Sequence, residues 1–104
     1  MIISLNEGNF KKEILEESLP VVADFYADWC PPCQALHPIF EALAEKYRSK
    51  IKFARLNIGE VGSVAEECNV MSVPTLIFFK GGKEIKRITG LVSQDEIEKN
   101  LNTL

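Results

Sequence analysis

Hydrophobic positions along the chain change period from one segment to the next, and the changes mark out nine elements. Ile2–Leu5 reads as a short strand. Asn6 or Asn9 then caps a helix running to about Ser18, with Phe10, Ile14 and Leu15 on its apolar face and Leu19-Pro20 closing it. Val21–Ala27 is a strand whose apolar residues do not alternate with polar ones, the mark of a strand covered on both faces. A long helix follows from about Cys30 to Arg48. Its inward stripe is Leu36, Phe40, Leu43 and Tyr47, and Pro38 lies within it and should kink it. Ile51–Ile58 is the third strand. Ser63-x-x-Glu66 has the pattern of a capping box and opens a short helix ending near Asn69. Thr75–Lys80 and Glu84–Thr89 flank Gly81-Gly82, a two-residue hairpin signal. A second capping box, Ser93-x-x-Glu96, starts a last helix with Ile97 and Leu101 inward. The order β-α-β-α-β-α-β-β-α predicts an α/β fold: a mixed five-stranded sheet with four helices on its two faces. The first three strands run parallel through right-handed crossovers, and the last two form a hairpin.

The chain has 104 residues, the size of one domain, and shows no linker, repeat or low-complexity stretch, so residues 1–104 read as a single domain. At 46% hydrophobic and 26% charged it is globular and needs no disulfide staple. Twelve basic against fifteen acidic residues give a net charge of −3, which argues against a nucleic-acid partner. The longest apolar run, Leu76–Phe79, excludes a membrane-spanning helix. The start Met1-Ile2-Ile3-Ser4 lacks the basic and long apolar regions of a signal peptide, so a cytoplasmic location is expected. In that reducing compartment thiols serve reactivity or metal binding, and three cysteines is an odd number.

Cys30-Pro31-Pro32-Cys33 falls where the second strand becomes the long helix. Cysteines at i and i+3 on a first turn share one face and can form or release a disulfide. The unpaired N–H groups and partial positive charge of a helix start favour a thiolate. Cys30, nearer the terminus, is therefore the expected nucleophile, and Cys33, one turn in, the resolving thiol. Pro31 and Pro32 fit because first-turn N–H groups have no helical partner. On spacing alone a metal site remains an alternative. His37 and Cys68 would supply the two further ligands that structural zinc needs, though from separate elements and without a second close pair.

The stretch Asp24-Phe25-Tyr26-Ala27-Asp28-Trp29-Cys30-Pro31-Pro32-Cys33, with Pro38, Val73-Pro74-Thr75, Phe79-Lys80-Gly81-Gly82 and Gly90, resembles the thioredoxin family over nearly the whole chain. The resemblance implies a protein-disulfide reductase with a redox-active Cys30–Cys33 pair, no bound metal and no cofactor. It also implies disulfide-containing substrate proteins, a thioredoxin reductase as recycling partner, and a monomer. It makes Asp24 a buried proton acceptor for Cys33, near Arg55 where many members have Lys. Trp29 and Pro31 would rim the docking surface. Val73 and the cis-proline Pro74 would face the cysteines and pair with an extended substrate segment, with Met71, Gly90 and Leu91 completing the groove. Cys68 is expected to be structural rather than a regulatory thiol, and His37 to be a helix-surface residue. Pro31 stands where the family most often has Gly, Gln34 where Lys is frequent, and Gly59 where Asp is common. Other readings on the same fold are an oxidant or isomerase, or a structural binding module. A glutaredoxin is less favoured, because nothing marks a glutathione pocket.

Overall fold

A computed structural model describes residues 1–104. Five strands, β1 (Ile2–Ser4), β2 (Val21–Tyr26), β3 (Lys52–Asn57), β4 (Thr75–Lys80) and β5 (Lys83–Thr89), form one sheet in the order β1-β3-β2-β4-β5. β1, β3 and β2 are parallel, while β4 runs antiparallel to β2 and to β5. The predicted α/β architecture is therefore present, with β2 at the centre. Its residues Val21–Phe25 are all buried, as the unbroken apolar run implies. Alternate side chains of β2 enter different cores. Val21, Ala23 and Phe25 pack with Phe10, Ile14 and Val64 on one face. Val22 packs with Leu36, Phe40, Leu43, Ile97 and Leu101 on the other, under helices α1 (Pro31–Lys46) and α3 (Gln94–Leu101). Asp24 and Tyr26, in phase with Val22, face α1.

The first helix is shorter and wider than expected. It is a single π turn, Lys11–Leu15, closed by the Glu16 N–H on the Lys11 carbonyl at 2.9 Å. Its entry is capped reciprocally, since the Asn9 N–H donates to Asn6 Oδ1 at 2.9 Å and the Asn6 N–H to Asn9 Oδ1 at 2.8 Å. The wider turn keeps Phe10 and Ile14 buried but leaves Leu15 44% exposed, so Leu15 is not a core residue. Glu13 and Glu17 both pair with Lys52 at the start of β3, which holds this segment to the sheet.

Helix α2 (Gly62–Glu67) corrects another expectation. Val61 precedes it without a side-chain cap, and Ser63 lies inside the helix with its hydroxyl donating to the Glu7 carboxylate. A capping box needs Ser at the non-helical boundary position, and the helix begins two residues too early for that. The second box does form: Ser93 Oγ accepts from the Glu96 N–H at 3.2 Å. The long helix ends at Lys46, and the Tyr47 hydroxyl reaches Glu98 and Asn102, joining the α1 terminus to α3.

Gly81 and Gly82 have φ of +61° and +79°, the positive values that a tight hairpin turn demands. They differ in surroundings. A Cβ on Gly81 would enter open space, whereas one on Gly82 would run into the Leu15 carbonyl. Gly81→Ala should cost about 1 kcal/mol and Gly82→Ala about 3 kcal/mol, because the second adds a backbone clash to the left-handed strain. Urea unfolding of the two variants checks the ranking.

Candidate active site

The end of β2 and the start of α1 bring the cysteine pair to the rim of the sheet. Cys30 is the N-cap of α1 in extended conformation, followed by Pro31 and Pro32 in the first turn. Cys30 and Cys33 form a disulfide, with Cα atoms 5.2 Å apart. Cys30 Sγ also accepts from the Cys33 N–H at 3.2 Å, so the sulfur takes the place that a Ser or Asp oxygen holds in an ordinary cap. Cys33 is wholly buried and Cys30 nearly so, at 4%. Ala27 completes their packing, with Tyr26, Ile58 and Val73 beside them.

Polar ties hold the loop between β2 and α1. Gln34 Nε2 donates to the Asp28 carbonyl at 3.0 Å, and Asn57 Nδ2 donates to the Asp28 carboxylate at 3.1 Å. The Ile58 N–H donates to the Tyr26 carbonyl at 2.8 Å. Sequence reasoning missed Asn57. Its only signal is a polar residue ending an otherwise apolar strand.

Opposite the pair stands the Val73–Pro74 loop, whose peptide bond is cis. The Val73 carbonyl oxygen is 3.8 Å from Cys30 Sγ. Pro74 is buried, and its carbonyl accepts from the Gly90 N–H at 2.8 Å, which ties the loop to the end of β5. Gly90 has φ +94°, a conformation that favours glycine. Beside these residues in the chain Trp29 is 74% exposed and Met71 93%, with Leu91 half exposed and both Pro31 and Pro32 on the surface. These are large apolar side chains left in water next to the redox-active pair.

Asp24 lies beneath α1 with no exposure, and its Oδ1 has no hydrogen-bond partner. Its other oxygen is 3.4 Å from Arg55 Nε on the neighbouring strand, the residue directly across in the β2–β3 register. The guanidinium is also stacked 3.7 Å from the centre of the Tyr26 ring. Burial pushes the Asp24 carboxyl up from 3.8 to about 6, against the opposing pull of Arg55.

Cys68, at the end of α2, packs with the other core rather than with the pair. Burial pushes its thiol up, so it resists ionisation, and Arg87 holds its carbonyl at 2.8 Å. His37 is on the α1 surface as expected, about one-third exposed, with Nε2 3.5 Å from Glu41.

The folded protein holds the Asp24 proton more tightly than the unfolded chain does. Stability from the neutral carboxyl is thus complete below about pH 4 and lost as pH rises to about 6, where ionising it costs about 3 kcal/mol. Asp24→Asn should therefore be more stable than the parent above pH 6 by up to that amount, with the difference vanishing below pH 4. Denaturant titrations of the oxidised protein at pH 4 and pH 8 measure it.

The thioredoxin family model matches residues 1–103. The chain is 36% identical over 101 residues to the thioredoxin of Porphyra purpurea, spanning 97% of this chain and 94% of that one. It is 40% identical over 103 residues to the chloroplastic M-type thioredoxin of Chlamydomonas reinhardtii, spanning 95% and 74%. It is 35% identical over 97 residues to thioredoxin 1 of Nostoc sp., spanning 93% and 91%. With a cysteine pair bonded at the start of its long helix, the chain belongs to the thioredoxin family, the protein-disulfide reductases that work by dithiol–disulfide exchange.

Proposed function

We propose that Cys30 is the attacking nucleophile of this reductase and Cys33 the resolving thiol, with Asp24 taking the Cys33 proton. The observation that carries the assignment is the position of Cys30 as N-cap, its sulfur receiving the Cys33 N–H while Cys33 is buried. In the reduced protein the same N–H and the helix start stabilise a thiolate on Cys30. That thiolate attacks one sulfur of a substrate disulfide, and the other sulfur leaves with the electron pair. Cys33 then loses its proton and attacks Cys30 Sγ. The substrate's second sulfur departs, and the internal disulfide closes.

A carboxyl titrating at about 6 is well matched to accept that proton near neutral pH, and Arg55, charged throughout, keeps it from rising further. Trp29, Pro31, Val73, Pro74, Gly90 and Leu91 form the groove for an extended substrate segment, the Val73 backbone pairing with it. The exposure of Trp29 and Leu91 and the cis bond at Pro74 support this reading. The chain acts as one domain over 1–104 and as a monomer, recycled by a thioredoxin reductase and needing no bound cofactor. A reducing, cytoplasmic setting agrees with the unpaired thiol of Cys68.

Cys33→Ser should accumulate a mixed disulfide with substrate on Cys30, while Cys30→Ser should form none and lose turnover. Non-reducing gels and mass spectrometry of the adduct decide it. Trapping on Cys33 instead would reverse the roles. The Cys30–Cys33 couple should titrate at or below the cytosolic glutathione poise, about −220 to −320 mV; a midpoint near −120 to −180 mV would mark an oxidant or isomerase.

A further inference from the structure

Only two buried side-chain polar atoms in the molecule have no hydrogen-bond partner, Asp24 Oδ1 and His37 Nδ1. They lie on β2 and α1, the two elements that meet at the cysteine pair. His37 is four residues after Cys33, so the two share a face of α1, and side chains on a helix tilt back over the preceding turn. A cavity of about 280 Å³ is walled by Cys33 and His37 together with Tyr26, Asp28, Gln34 and Arg55. Asp24 does not line it, whereas Arg55, stacked on Tyr26 and 3.4 Å from Asp24, does. A second cavity of about 460 Å³ shares His37, Tyr26 and Arg55 and is lined also by Glu41, Glu45 and Met1.

We propose that His37 is a second proton acceptor for the resolving thiol, serving the cavity side of Cys33 as Asp24 serves its buried side. The proposal rests on Cys33 being the resolving thiol. Glu41 sits at Nε2 and favours the tautomer with hydrogen there, leaving Nδ1 as the free base. In the resolving step the Cys33 proton passes to the imidazole one turn along the face of α1 that the two residues share. The thiolate attacks Cys30 Sγ, the Cys30–substrate bond breaks, and the substrate sulfur leaves with the electron pair. The imidazolium then returns its proton to the departing thiolate or to bulk water.

The charged and titratable groups facing the ring are Glu41 and Glu45 on α1, Arg55 on β3, Tyr26 on β2, Asp28 in the β2–α1 loop and the Met1 amino group. Glu41 is the nearest of them, 3.5 Å from Nε2.

The test follows resolution of a Cys30 mixed disulfide made with a small aromatic thiol, by stopped flow from pH 5.5 to 9. It compares the parent with His37→Gln, His37→Asn, Asp24→Asn and Asp24→Asn/His37→Gln. Gln retains a polar atom toward Glu41 and Asn one near Nδ1, and neither is a base; circular dichroism confirms that each variant folds. His37→Gln should slow resolution about threefold or more near pH 6.5 and less at pH 9, where hydroxide competes as the base. In the double variant the loss should exceed the product of the single losses, as for two bases acting in parallel. Unchanged rates and pH profiles for both His37 variants, in either background, would overturn the proposal. If Cys33→Ser fails to trap substrate on Cys30, it is the assignment of Cys33 that fails instead.

Discussion

A carboxyl held where water cannot reach it is the constraint around which this molecule is arranged. β2 has neighbours on both edges and helices over both faces, so Asp24 has nowhere to turn for solvent. Only Arg55, delivered by the β2–β3 register, comes within reach of it, and that contact is long. A buried and incompletely paired ionisable group costs stability. The rest of the fold supplies it through two apolar layers packed on the sheet, each anchored by fully buried side chains such as Phe25 and Phe40. The cost has a chemical return, because desolvation brings a carboxylic acid into the range where it exchanges protons near neutrality.

The same economy of parts governs the cysteines. A helix start must satisfy its first N–H groups, and here two are removed by Pro31 and Pro32 and a third donates to sulfur. In the proposed mechanism, capping and thiolate stabilisation are one interaction seen in two redox states. The neighbouring strand β4 begins just after the buried Pro74, whose loop places the Val73 carbonyl opposite Cys30. Exposed Trp29 and Met71 are apolar surface that would gain by being covered, as the proposed docking of a substrate segment requires.

Element types, their order and the inward stripes were readable because they follow from local periodicity and from residues with restricted backbones. The hairpin at Gly81-Gly82 is of this kind, and so is the cap at Ser93. Boundaries were less readable where a local signal competes with a tertiary one. Ser63 has the pattern of a cap, yet Glu7 from a distant segment takes its hydroxyl. The first helix stops early and widens because Phe10 and Ile14 must reach the core while Glu13 and Glu17 reach Lys52. The contact of Arg55 with Tyr26 and the tie from Asn57 to Asp28 join separate strands and loops and leave no periodic trace.

By itself, then, the sequence determined the α/β alternation, the placing of Cys30 and Cys33 at a helix start and the burial of Asp24 in a central strand. Spacing, proline and glycine chemistry and hydrophobic period act within one segment. Only the tertiary structure decided which residues surround those groups: Val73 opposite Cys30, Arg55 over Asp24, and His37 beside the cavity at Cys33. Strand register and helix docking set these neighbours, and both depend on how whole faces pack together rather than on any local pattern.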